Sequence, residues 1–281
     1  MAPASWARRR WMLAAYALFA VILFVAFLVA SFPYADTISS IAAPMKLKVV
    51  YRAQGISLPI GARLESVQII STAAEPDQVL LQSPDVTVAP TLALLLLGRP
   101  GLRISAQIFG GVARATVRER AAITEIEFDL DSLNLAQSDP LQQLGAILKG
   151  EVSMKGSAEV KGPDITDNTA HAHLNGTSIT FAIVSGFPPI HFGTVSADVA
   201  LSDATVSFAN VKARGLDADI AANGEIQLAR DVRDSTIDMT VALKPTSVGR
   251  DNFGLFLRML PHPPAAGPYH IQGRLMSPTI R

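Results

Sequence analysis

His171 and His173 are separated by one residue. On a β-strand that spacing puts both imidazoles on one face, the arrangement that begins some zinc sites. A third ligand would have to come from His191, His262 or His270, or from an acid such as Asp198. Ala172 and Leu174 take the opposite, apolar side, so the histidines point outward and the pattern reads as solvated surface. Asp129 with Asp131, and Asp217 with Asp219, have the same spacing and could supply the paired carboxylates of acid–base chemistry. Both pairs sit on the polar side of strands whose other side is apolar, and both read as solvated charges. A Gly-x-Ser-x-Gly elbow is absent, and so is a phosphate-binding glycine-rich loop. Asn175-Gly176-Thr177 matches a glycosylation sequon, but its Asn-Gly pair reads better as a turn. No catalytic, metal or cofactor constellation emerges, and enzymatic activity is not expected.

The elements that would carry such residues are strands. Leu102–Glu119 reads LRISAQIFGGVARATVRE. A two-residue turn at Gly110 and Gly111 would set Phe109 opposite Val112, Ile108 opposite Ala113 and Ile104 opposite Val117. One face then holds Ile104, Ala106, Ile108, Ala113, Ala115 and Val117; Arg103, Gln107, Arg114 and Arg118 are on the other. The same alternation recurs at 46–51, 125–131, 151–161, 195–201, 237–243 and 269–275. This is mostly antiparallel sheet with one buried face, and the fold class is mainly β. Short helices are expected at Pro90–Gly98, Ser138–Leu148 and Asn252–Leu260, with a proline-rich loop after the third. A loose echo, Lys149-Gly150-Glu151-Val152, Asn223-Gly224-Glu225-Ile226 and Gln272-Gly273-Arg274-Leu275, places a glycine inside strand patterns, where bulges and bends occur. A sheet curled repeatedly in this way makes a groove with an apolar inner face. Small residues there favour close packing of its two sides, with helices plugging the ends. The softest seam is at Gly162–Asn168.

The N-terminus indicates the compartment. Arg8, Arg9 and Arg10 precede Trp11–Ala30, twenty residues without a charge. A helix of that length spans a hydrocarbon core about 30 Å thick. The run is longer than a signal-peptide core, and Ser31-Phe32-Pro33-Tyr34 offers no small-residue cleavage site. An uncleaved anchor follows, with Trp11 and Tyr34 as interfacial aromatics and the arginines holding the N-terminus in the cytoplasm. The expected organisation is a cytoplasmic tail at 1–10, a transmembrane anchor at 11–30 and a β-rich domain at 31–281 in the bacterial periplasm. The chain has 24 basic and 24 acidic residues, and removing the arginine cluster leaves the exported body slightly negative. That argues against nucleic acid as a partner. The absence of cysteine is compatible with any compartment.

The order of these features carries a resemblance. The anchor runs into Phe32-Pro33-Tyr34, followed by Gly55–Gly61 (GISLPIG) and Val88-Ala89-Pro90 with its leucine-rich turn. Then come the Phe109-Gly110-Gly111 hairpin, Phe128–Leu133 (FDLDSL), Leu148-Lys149-Gly150 and the closing Gln272–Pro278 (QGRLMSP). The chain resembles protein N of the type II, or general, secretion system. That family is bitopic in the inner membrane, and its periplasmic part is related to AsmA-like, groove-forming β-proteins. The resemblance implies a non-enzymatic accessory role in exporting folded proteins across the outer membrane. It also implies contacts with other secretion-system subunits, either the inner-membrane platform or the outer-membrane channel. It supplies no catalytic residues and no cofactor. The AsmA kinship implies an alternative, a lipid-binding or lipid-transport protein whose curled sheet holds acyl chains.

Overall fold

The computed structural model describes residues 47–281, apart from 58–60, 72–77, 92–100, 121–122, 139–146, 163–164, 183–188, 230–233 and 276. The expected anchor at 11–30, with Arg8, Arg9, Arg10, Trp11 and Tyr34, lies outside the described residues. Within them, no helix is long and apolar enough to cross a membrane. The chain divides into two compact units, Met1–Pro90 and Thr91–Arg281.

In the first unit, β1 (Leu47–Val50) and β2 (Ala53–Ile56) both pair with β3 (Ala62–Ser71), which pairs with β4 (Gln78–Pro90), all antiparallel. Ala62, Leu64 and Val67 of β3 are buried beside Val86, Val88 and Ser83 of β4. Arg63 bridges to Asp85 at 2.9 Å on the other face. Ser66 has φ 53°, and the β3–β4 register shifts between Ile69 and Ile70. Pro90, expected to open a helix, is the last residue of β4, and most of that expected helix (92–100) lies outside the described residues.

The second unit is an antiparallel meander in which each strand pairs with its neighbours in sequence. Its order is β5 (Gly101–Ile108), β6 (Gly111–Arg120), β7 (Ile123–Asn134), β8 (Ile147–Val160), β9 (Thr169–Ala182), β10 (Ile190–Ser202), β11 (Thr205–Gly215), β12 (Ala218–Gln227), β13 (Thr236–Pro245), β14 (Tyr269–Arg274) and β15 (Ser277–Ile280). Among the described residues one α-helix of more than one turn, α1 (Ser247–Met259), is present, inserted between β13 and β14. The register joins Ala115, Phe128, Gly156, Ala172, Val199, Phe208, Gly224, Met239 and Ile271 across successive strands, one apolar face from end to end. The opposite face is polar and carries cross-strand pairs, Arg118–Glu127 at 3.0 Å and Lys155–Asp129 at 3.2 Å. Mainly antiparallel β with one apolar face is therefore the fold.

The β5–β6 hairpin keeps its expected faces but not its expected turn. Ile108 pairs with Gly111, Ala106 with Ala113 and Ile104 with Ala115, so the turn residues are Phe109 and Gly110, at φ 47° and 76°. A tight hairpin turn of this kind needs positive φ at both central positions, which glycine supplies most readily. Gly111 is needed for space instead: a Cβ there would overlap the carbonyl oxygen of Asp131 in β7. Bulky Phe109 is left in the left-handed region. Because the displacement is two residues along β6, every side chain keeps its face.

Three other expectations change. Asn175 and Gly176 run through the middle of β9, paired with Ser196 and Val195, instead of turning the chain. Leu148, expected in a helix, lies in β8, and a 3-10 turn at Leu135–Gln137 precedes Ser138; residues 139–146 lie outside the described residues. The Gly162–Asn168 segment is no seam. It is a β8–β9 connection in which Asn168 Oδ1 accepts from the Lys161 N–H at 3.0 Å. The echoed glycines do sit at irregular backbone: Gly150, Gly224 and Gly273 all have positive φ, and Gly150 coincides with a register shift. Ser132, Ser178 and Asn210, at φ 53–54°, mark further bulges. The bulge at Ser132 frees its N–H, which Ser153 Oγ receives at 3.0 Å.

Candidate functional site

The apolar face is only partly covered. Ile104, Ala106, Ile108, Ala115, Val117, Phe128 and Met154 all keep intermediate exposure. The closely packed interior expected from the small residues would have buried them. Burial is deeper farther along the unit, where Ile179, Phe192 and Ala213 form a buried cluster with Leu148, Val152, Val195 and Ile220 against it. Ala218 and Tyr269 are buried near α1.

α1 begins five residues before its expected start at Asn252, because Thr246 caps it. The Thr246 hydroxyl accepts from the Gly249 N–H at 3.1 Å and donates to the Leu216 carbonyl at 2.6 Å. The Thr246 N–H donates to the Asp217 carbonyl at 3.0 Å. A Cβ on Gly249 would overlap that same carbonyl, so glycine is required for the helix to approach the β11–β12 turn. The Asp217 side chain completes the junction. Its Oδ2 accepts from the His191 N–H at 2.8 Å and from the His191 ring at 3.1 Å, and its Oδ1 accepts from the Asn252 amide at 3.2 Å. Asp217 is 1% exposed. Burial pushes its carboxyl up, but the His191 N–H, the His191 ring and Asn252 outweigh burial and hold it below the usual range. The expectation of a solvated Asp217 is thus overturned, whereas Asp219 is exposed. A carboxylate whose two oxygens are both engaged by donors is a strut joining α1, β10 and the β11–β12 turn.

At the far end, the Tyr269 hydroxyl donates to the His262 carbonyl at 2.8 Å, and the two rings stack with centroids 4.4 Å apart. Burial pushes the Tyr269 phenol up. Between these two fastenings, Phe253, Leu257 and Leu260 roof a pocket of about 250 Å³. Its floor is the apolar face at Phe192, Ile220, Leu243 and Ile271, and its remaining walls include Phe181, Ile190, Tyr269 and Ile280. Asp217 is the only ionisable side chain among the lining residues apart from that tyrosine. The helix bends at Phe253 (φ −116°, ψ 18°), over the pocket.

The histidines expected to compete for a metal are dispersed. His171 and His173 are both exposed on β9, on the polar face. His173 Nδ1 donates to Asp198 Oδ1 at 2.6 Å, and Asn210 donates to Asp198 Oδ2 at 2.9 Å. The hydrogen bond from His173, then that from Asn210, hold the Asp198 carboxyl below its usual range. His191 is on Asp217, His262 is stacked on Tyr269, and His270 Nδ1 lies 3.3 Å from the Thr240 hydroxyl. Among the described residues, no group of three or more His, Asp or Glu side chains is placed to hold a metal ion. Asp129 pairs with Lys155, and Asp131 accepts from Ser132 at 3.2 Å.

Sequence reasoning missed the Asp217 junction, since nothing local to 215–219 distinguishes a buried acid from an exposed one. The start of α1 did have a signal, a threonine after a strand followed by Ser-Val-Gly. Comparison of the chain with family models, curated proteins and solved structures finds no match.

Proposed function

We propose that the protein is a non-enzymatic, inner-membrane-anchored accessory component of the type II secretion pathway that assists export of folded proteins across the outer membrane. Its N-terminus lies in the cytoplasm and its bulk in the periplasm, where it contacts the inner-membrane platform or the outer-membrane channel. The observation that carries this reading is the meander of Thr91–Arg281, apolar along one face only. An extended, partly exposed apolar face marks a surface that another molecule covers. The order of short motifs from Phe32 to Pro278 supports the identity of that assembly, and repeated bulges support a curled, groove-like sheet. The test is a deletion strain. Folded exoproteins stranded in the periplasm are expected, and normal secretion would overturn the reading.

A second reading has its own observation. The same apolar face is continuous with the pocket under α1, which suits a lipid-binding or lipid-transport protein of the envelope. Phospholipid retained on the purified protein in native mass spectrometry, with secretion intact in the deletion strain, would favour it over the first.

A further inference from the structure

We propose that the pocket under α1 is a binding site for the methyl end of a single long-chain acyl group, whose remainder runs out along the apolar face past Phe181 and Ile190. The inference rests on the lipid reading above and places its site. Three observations carry it. First, the one carboxylate at the pocket has both oxygens occupied by His191 and Asn252, so the interior offers little to hold water or a headgroup. Second, the volume suits a chain end: apolar cavities of about 150 Å³ take up benzene, and about 250 Å³ scales to roughly ten carbons. Third, the pocket is bounded by Asp217 and Tyr269 at its fastened ends but meets the apolar cluster of Phe192, Leu148 and Val152 through Ile190. A compact solute would use the pocket alone; an acyl chain uses both the pocket and the strip it opens on.

The test uses the full chain in membrane vesicles and two photo-labels: a fatty acid with a diazirine at its methyl end, and a phosphatidylcholine carrying that same acyl chain. Adducts are expected on Leu257, Leu243 and Ile271. Labelling by both probes assigns the chain to phospholipid as well as free acid, and labelling by the fatty acid alone assigns it to free acid. At equal free aqueous concentration, unlabelled acids should compete about fourfold better per added methylene until the pocket is filled, and then level off. Leu243→Trp fills the pocket and should cut labelling at least tenfold, and Leu257→Trp does the same from the helix side if the first variant fails to fold. Unchanged labelling in a folded tryptophan variant, or competition independent of chain length, would overturn the site. Adducts confined to β5–β8 would overturn the pocket and leave the lipid reading standing, whereas no adducts anywhere would overturn both.

Discussion

Replacing Asp217 by alanine should loosen α1 without disturbing the rest of the sheet. Three donors converge on this carboxylate: the His191 N–H, the His191 ring and the Asn252 amide. The His191 side chain is 52% exposed and can turn to water, so its share is small. The Asn252 side chain is exposed as well, so the cost falls chiefly on the His191 N–H, and leaving such a donor unpaired costs about 1–3 kcal/mol. A total of about 1–3 kcal/mol follows, which at roughly 2–4 °C per kcal/mol for a unit of this size lowers Tm by about 2–12 °C. Asp217→Asn keeps the shape and one acceptor for the His191 N–H, so its loss should be about 1 kcal/mol or less. The thermal melt of the detergent-solubilised full chain gives the magnitude, and hydrogen exchange gives the location. Exchange should rise across Ser247–Met259, including the Arg250 N–H that donates to the Thr246 carbonyl at 3.0 Å, and stay unchanged in β5–β8. A melt within about 1 °C of the parent, with α1 equally protected, would refute the assignment of Asp217 as the strut.

The pH dependence has a defined sign. The Asp217 carboxyl is held below its ordinary value of 3.8, so its contribution is present above that value and is lost as pH falls through the lower, folded-state value. The Tm gap between parent and Asp217→Asn should be constant above about pH 5 and shrink in acid; a gap that grows in acid contradicts this. In the β5–β6 turn, Phe109→Asn should stabilise by up to about 1 kcal/mol, since a left-handed backbone costs a bulky residue about that much. Gly111→Ala should destabilise by about 1–3 kcal/mol through its clash with Asp131. The reverse order of effects in denaturant titrations would restore the Gly110–Gly111 turn. Finally, a periplasm-specific reporter fused after Arg281 should be active, and neutralising Arg8, Arg9 and Arg10 should reduce that activity; a stable but inactive fusion excludes the proposed orientation.

Alternation was legible because a sheet with one apolar face imposes period 2 on every strand, and that period survives a shift of two residues. The faces of β5 through β14 were therefore readable while the pairing at Phe109–Val112 was not. Which glycine of the pair turns the chain depends on β7, whose Asp131 carbonyl leaves no room for a side chain at 111. That contact is remote in sequence. The bulges at Ser132, Ser178 and Asn210 are similar cases, since nothing beside them distinguishes these residues from neighbouring serines and asparagines. Asn175-Gly176 shows the converse, a strong local turn signal overridden by pairing on both sides of β9. Burial of Asp217 was invisible for a different reason. Its environment is assembled from His191, Thr246, Gly249 and Asn252, and only the finished fold brings them together.

The way this sheet is held together bears on what it can do. The β5–β8 strands rest chiefly on their hydrogen-bonded ladders and half-covered side chains, with cross-strand ion pairs on the wet face. Exposed ion pairs of that kind contribute at most about 1 kcal/mol each. A face left half open keeps back part of the roughly 25 cal/mol per Å² that full burial of its apolar area would release. That unreleased part is available to whatever covers the face, which couples binding there to stability. The region under α1 is different, because the helix is fastened at Asp217 and Tyr269 and its cavity stays roofed. A covering protein would therefore stabilise β5–β8 most, whereas an acyl chain seated in the pocket would stabilise α1 most. Hydrogen exchange with and without each partner separates these outcomes by location.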